Sequence, residues 1–205
     1  FSIIVDVTAA AAPGVVNAMA IWWVGPALMR YGTEAQKARF IPKILTAEEI
    51  WATGYSEPSS GSDMAAAKTF AKREGDHYVV NGQKIWTTLA HISDWYFCLV
   101  RTSNENKWGG LSLLLIDLRS PGVEIRPIRQ IDGGAEFNEV FLTDVKVPVE
   151  NLLGQEGQGW EVVSSALVNE RSGIAGSIRT QQVLDWLVET ARGQGKAKDP
   201  RVRQK

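Results

Sequence analysis

Apolar residues recur along this chain with two different spacings, and the changeovers between them mark its elements. Residues 15 to 31 are rich in Ala, Met, Ile and Trp and predict a buried helix that stops at Tyr31-Gly32, since glycine readily takes the backbone out of a helix. A second helix is predicted directly after it. Thr33 is a suitable N-cap, Gln36 three residues on completes a capping box, and Phe40, Ile41, Ile44 and Leu45 form the apolar stripe. Pro42 falls inside that stripe and is expected to shorten or kink the helix. From Ile50 to about Val147 the spacing shortens. His77–Val80, Trp95–Arg101, Leu111–Leu118, Val123–Ile131 and Phe137–Val147 are rich in β-branched and aromatic residues, and Gly, Asn and Pro separate them, which predicts a compact antiparallel sheet or barrel. The polar, glycine-ended stretch Ser103–Gly110 reads as a hairpin or an excursion between strands. After Val147-Pro148, glycines at 154, 157 and 159 lead into a second helical pattern. Trp160, Val163, Ala166, Leu167, Ile174 and Ile178 predict one long helix to about Thr190, with Ser164, Ser165, Gly173 and Gly176 permitting close approach. The tail Ala191–Lys205 reads as a loop.

Composition narrows the function classes. At 205 residues, 44% hydrophobic and 22% charged, the chain can bury a proper core and reads as globular and soluble. A net charge of −1 with both signs interspersed offers no basic footprint for nucleic acid, and no apolar run of about 18 residues suggests a membrane span. The single cysteine, Cys98, rules out an intrachain disulfide framework and makes a reducing compartment the default. Neither histidine stands at metal-ligand spacing, so no metal site is expected, and His77, His91 and Cys98 read as structural. Phe1 and Lys205 both look like cuts within something longer.

Two stretches carry candidate chemistry. Gly54-Tyr55-Ser56-Glu57-Pro58-Ser59-Ser60-Gly61-Ser62-Asp63 is small, hydroxylated and turn-forming, so its backbone can approach a ligand closely and offer N–H and O–H donors together. Asn81-Gly82-Gln83-Lys84-Ile85-Trp86-Thr87-Thr88 reads as a turn and a short strand ending in an indole and two hydroxyls. A flat heteroaromatic ring needs such an apolar face with donors at its edge, so the pair suggests a flavin pocket. Alone, the first stretch is more simply a surface turn, Trp86 a core residue, and Asp132-Gly133-Gly134 a turn between strands.

The order helices, β-domain, helices, together with these motifs, resembles the central part of a flavin-dependent acyl-CoA dehydrogenase. The matching pieces are Tyr31-Gly32-Thr33-Glu34-Ala35-Gln36-Lys37, Pro42-Lys43-Ile44-Leu45, Tyr55-Ser56-Glu57-Pro58 with Gly61-Ser62-Asp63, the Asn81–Thr88 stretch, Phe137-Asn138-Glu139-Val140-Phe141 leading to Val145-Lys146-Val147-Pro148, and Asn169-Glu170-Arg171. The resemblance implies an α+β fold: the end of an N-terminal helical domain over 1–50, a middle β-barrel domain over 51–153 and the start of a C-terminal helical domain over 154–205. It implies FAD as cofactor, with Tyr55, Ser56, Gly61, Ser62, Trp86, Thr87 and Thr88 around it. Ser62 would stand where cofactor and substrate regions meet, and Arg171 would face the substrate pocket.

By the same resemblance the reaction is α,β-dehydrogenation of an acyl-CoA thioester. A carboxylate removes the α-proton, the β-hydrogen passes as hydride to the flavin, and electrons continue to an electron-transfer flavoprotein. The family places the base either on the first helix after the barrel, where Glu170 matches, or much further along, past Lys205. Ser59-Ser60 replaces the family's common Gly-Ala, and Thr87 stands where many relatives have Ile. Ala191-Arg192-Gly193-Gln194-Gly195-Lys196 replaces an Arg-x-x-Phe-Gly sequence that in many members reaches a neighbouring subunit's cofactor, which puts that intersubunit contact in question; a divergent subgroup, for example one acting on bulky or ring-bearing acyl groups, is one reading. A homodimer or homotetramer in the bacterial cytoplasm or the mitochondrial matrix is implied. A flavin oxidase or monooxygenase on the same fold, and a non-catalytic subunit of a heteromeric dehydrogenase, are the alternatives.

Overall fold

The computed structural model describes residues 17–171 and 174–203 and, of these, the side chains of 17–168 and 180–203. They fall into two compact units, one ending at Glu170 and the other beginning at Arg171.

The first unit opens with a π-helical turn, Ala20–Val24, running into α1, Gly25–Tyr31. The helix predicted to Tyr31 thus stops where Gly32 follows, although its start lies outside the described residues. Helix α2 spans Glu34–Thr46. The Thr33 hydroxyl accepts from the Gln36 N–H at 3.2 Å, while the Gln36 side chain accepts from the Thr33 N–H at 3.0 Å, completing the capping box. Pro42 lies inside α2 without ending it.

Eight strands follow: β1 (Trp51–Gly54), β2 (Phe70–Glu74), β3 (His77–Thr88), β4 (Trp95–Arg101), β5 (Leu111–Asp117), β6 (Val123–Ile128), β7 (Phe137–Pro148) and β8 (Leu152–Leu153). They form a single sheet in the order β6-β7-β3-β2-β4-β5-β8, with β1 added alongside β4. Two expectations need correcting. The sheet is mixed, not antiparallel throughout, because β1 and β2 both run parallel to β4. Nor is it a closed barrel, since no pairing joins β6 to β8 among the described residues. The strand predicted to Ile131 ends at Ile128, and Ile131 sits exposed in the following turn. There the Gly134 N–H donates to the Asp132 carboxylate at 2.9 Å.

Sheet strands normally bury one face and alternate, yet β4 and β5 are buried at nearly every position because the sheet has a core on each side. Phe97, Leu99, Leu113 and Leu115 join Leu28, Phe40 and Ile44 of the helices in one core. Tyr96, Cys98, Leu114 and Ile116 meet Val80, Val140 and Val145 in another. Helix α3, Gly159–Arg171, adds Val162 and Val163 to the helix-side core. It starts against β5, where a Cβ on Gly159 would lie 2.6 Å from the Ser112 backbone.

The second unit contains α4, Ile174–Gly193, and a helical turn α5, Pro200–Arg203, so part of the tail read as loop is helical. The long helix predicted from Trp160 to Thr190 is two described spans, with Ser172 and Gly173 outside the described residues.

Candidate functional site

Strand β1 delivers the loop of interest. Gly54 pairs with Cys98 of β4 and lies under the Tyr96 ring, where a Cβ would come within 2.3 Å of a ring carbon. Beyond it the chain makes a tight turn in which Glu57 and Ser60 exchange backbone hydrogen bonds of 2.8 and 3.0 Å. The Ser60 hydroxyl is buried there without a protein partner, and Gly61 has open space where a side chain would go. Ser62 is exposed, and Asp63 beside it pairs with Lys107 at 2.8 Å.

The loop lies directly against the end of β3. The Ile85 N–H donates to the Ser56 carbonyl at 3.0 Å. The Lys84 ammonium donates to the Tyr55 carbonyl at 3.2 Å and to the Glu57 carboxylate at 2.9 Å. Glu57 also accepts the backbone N–H groups of Lys68 at 2.7 Å and Thr69 at 2.9 Å. Burial alone would raise the Glu57 pKa, but the Lys84 charge and these donors outweigh it and hold the group below its ordinary value.

At Trp86 the strand breaks its own pattern. The register against β7 slips between Lys84 and Thr87, and Trp86 takes a left-handed backbone with φ 61°. A bulky non-glycine residue there is strained by roughly 1–3 kcal/mol. The kink turns the indole outward, 58% exposed, with Phe137 edge-on at 6.3 Å. Thr87 points the other way, with its buried hydroxyl on the Tyr96 hydroxyl at 2.8 Å and its carbonyl accepting from the Asn138 amide at 2.9 Å. Burial raises the pKa of Tyr96 well above its usual value and that of Cys98 to about 12, so both stay neutral beneath the site. Thr88 is half-buried.

The structure therefore sets Tyr55 and Ser56 against Lys84 and Ile85, just before Trp86, directs the Thr87 side chain into the core, and carries Gly61 and Ser62 to the exposed end of the loop. Glu170 and Arg171 close α3, and their side chains lie outside the described residues. Sequence reasoning did not single out Glu57 and Lys84, although both stand inside the quoted motifs. The available signal was a lone base, Lys84, in one stretch and an acid, Glu57, set among small and hydroxylated residues in the other.

An open cleft of about 410 Å³ lies between Trp108-Gly109 and residues 155–161. Trp108 and Trp160 meet edge-to-face in it at 4.5 Å. Arg101 fixes the Trp108 loop, donating to the carbonyls of Ala65 at 2.7 Å and Ala67 at 2.8 Å on one side and of Ser103 at 3.1 Å on the other.

Residues 52–145 match the family model for the acyl-CoA dehydrogenase middle domain. The acyl-CoA dehydrogenase IpdE1 of Mycobacterium tuberculosis is 45% identical over 197 residues, covering 95% of this chain and 51% of that protein. The chain belongs to the acyl-CoA dehydrogenase family. It is also 44% identical over 155 residues to the acyl-CoA dehydrogenase FadE29 of the same organism, covering 75% of the chain and 40% of the relative. Among solved structures, the Tcur3481-Tcur3483 steroid ACAD superposes with a TM-score of 0.87 at 33% identity, over 98% of this chain and 52% of that one. The ChsE4-ChsE5 complex from Mycobacterium tuberculosis matches with a TM-score of 0.74 at 37% identity, over 81% and 43%. The chain spans about half the length of the curated relatives that it matches first. Within this acyl-CoA dehydrogenase family segment, the loop and the β3 end both fall inside the matched middle-domain residues.

Proposed function

We propose that the protein of which this chain is a part is an FAD-dependent acyl-CoA dehydrogenase that oxidises the α,β-bond of a thioester. The observation that carries the reading is the junction of the two motif stretches, with Ser56 bonded to Ile85 and Trp86 turned outward beside them. Residues present there fit a flavin. The exposed indole offers a flat apolar face, and Ser56 and Thr88 have hydroxyls without a protein partner among the described residues. The buried Ser60 hydroxyl is an orphan donor, and Gly61 leaves room for close approach.

A bound flavin supplies the acceptor for the β-hydride. The chain's own part is to orient that ring and to hold donors where negative charge develops, which lowers the barrier without reorganisation. On this reading Tyr55, Ser56, Gly61, Ser62, Trp86 and Thr88 form the cradle, and Thr87 supports it from beneath. Glu170, at the end of α3, takes the α-proton on its carboxylate, and Arg171 contacts the substrate. The cleft at Trp108 and Trp160, linked to Ser62 through the Asp63–Lys107 pair, receives the part of the thioester remote from the reacting carbons. The likeness to a steroid ACAD supports a ring-bearing acyl group, and the likeness to the ChsE4-ChsE5 complex supports assembly with a second related subunit. Electrons then pass to an electron-transfer flavoprotein.

Anaerobic titration of the full-length, flavin-loaded protein with acyl-CoA thioesters tests the reading. Bleaching of the yellow colour is expected, and Glu170→Gln should retain the colour while abolishing the bleaching. A preparation with no affinity for FAD rejects the cradle, and undiminished turnover in Glu170→Gln moves the base to another residue.

A further inference from the structure

Lys84 has no exposed surface and Glu57 is 6% exposed, so this ion pair has been taken out of water. Taking two charges out of water is costly, and a pair of apolar side chains could fill such a place with equal or greater stability. One attested use for such a pair is conformational specificity, and its bonds show which segments it joins. Through Glu57 the pair holds the amides of Lys68 and Thr69, and through Lys84 it holds the Tyr55 carbonyl. Both ends of the connection from β1 to β2 are thereby fixed to one point on β3.

That point lies two residues before the left-handed Trp86, where the β7 register slips. On the far side of the kink, Thr87 is held through its hydroxyl by Tyr96 and through its carbonyl by Asn138. Trp86 therefore sits between two anchors, and only such over-determination keeps a bulky residue in this backbone region. We propose that the Glu57–Lys84 ion pair is a positioning device for the flavin cradle, holding Trp86 in its outward, left-handed conformation next to Ser56. The proposal rests on the flavin reading given above. Without the Lys84 anchor, Trp86 relaxes toward ordinary extended backbone and the indole leaves its place beside the loop.

A double-mutant cycle on FAD affinity, measured by reconstituting the full-length apoprotein, tests this. Lys84→Met preserves length and removes the charge, and is expected to weaken FAD binding by about three- to tenfold, the effect of losing one well-placed stacking surface or hydrogen bond. In a Trp86→Phe background the same substitution should have a much smaller effect, because the two act through one element. Additive losses would overturn the proposal, leaving the pair as a contributor to general stability. Glu57→Gln, which keeps the side chain's shape, should show the same coupling and serves where Lys84→Met does not fold. Crystal structures of the apo variants give a readout independent of cofactor. Trp86 should leave the left-handed region, and its retention there in both variants overturns the proposal. Failure of the unmodified protein to bind FAD rejects the flavin reading instead, while the Trp86 backbone still decides whether the pair holds the kink.

Discussion

Gly54 and Tyr96 share a space that admits no further atom. A Cβ at position 54 would stand 2.3 Å from one ring carbon and 2.4 Å from the hydroxyl, and the ring is fully buried. Gly54→Ala must therefore push Tyr96 away from Thr87, adding a broken buried hydrogen bond to the overpacking. We expect a loss of about 3 kcal/mol, toward the upper end of what overpacked cores show, read as a lower urea midpoint with an unchanged slope. A change within half that size would mean that the ring can tilt without cost. The same contact shows how far a sequence reading of single residues reaches. Thr87 and Thr88 look like twin donors when read along the chain, but consecutive strand residues face opposite sides of the sheet. Thr87 accordingly meets Tyr96, and Thr88 is left with the free hydroxyl. The outward turn of Trp86 had no local signal either, since the register slip at the kink is made against β7, and Lys84 just before it is paired with Glu57, both partners far away in sequence.

Helix α2 shows the same division between local and distant causes at the scale of an element. Its capping box was legible because Thr33 and Gln36 stand three apart and both partners are local. The second task of Gln36 was not legible. Its side-chain amide donates to the carbonyls of Glu150 at 2.7 Å and Leu152 at 2.9 Å, more than a hundred positions away, and so joins α2 to the lead-in of β8. Thr33→Ala should cost about 1 kcal/mol, the usual value of a lost N-cap. Gln36→Ala should cost about 2–3 kcal/mol, because it also strands two partly buried carbonyls. Equal losses in thermal melts of the two variants would show that the bridge to residues 150–152 adds nothing. Strands followed a similar rule. The continuous apolar runs of β4 and β5 announced themselves, whereas β1, β2 and β8 are too short or too polar to stand out and exist because neighbouring strands offer open edges. That is also why an antiparallel barrel was the natural expectation: hairpin spacing is visible in sequence, but the parallel insertion of β1 and β2 against β4 is not.

For the whole molecule, the relevant charges are those that the fold removes from water. Pairs such as Lys72–Glu74 and Arg126–Glu124 stand in solvent, where screening leaves them little influence. Glu57 and Glu49 differ. Burial works against ionisation at both, yet Lys84 with the Lys68 and Thr69 amides at the first, and Arg39 with Lys43 at the second, hold each carboxylate below its ordinary pKa. Arg39 reaches Glu49 through paired bonds of 3.0 and 2.7 Å, which close α2 against the entry to β1. A carboxylate whose folded pKa is depressed stabilises the fold fully above its unfolded value, about 4.3 for Glu, and that contribution is lost as pH falls through the folded value. The unit ending at Glu170 should therefore hold its melting temperature from neutral pH down to roughly pH 5 and lose it steeply below about pH 4. Glu57→Gln removes one of the two responsible groups. Its melting temperature should start lower at pH 7, where Lys84 is left buried without a counter-charge, and then fall less steeply on acidification. Melting curves for the two proteins collected from pH 7 to pH 3 decide the matter: converging curves place acid sensitivity at the Glu57–Lys84 pair, and parallel curves assign it to other carboxylates.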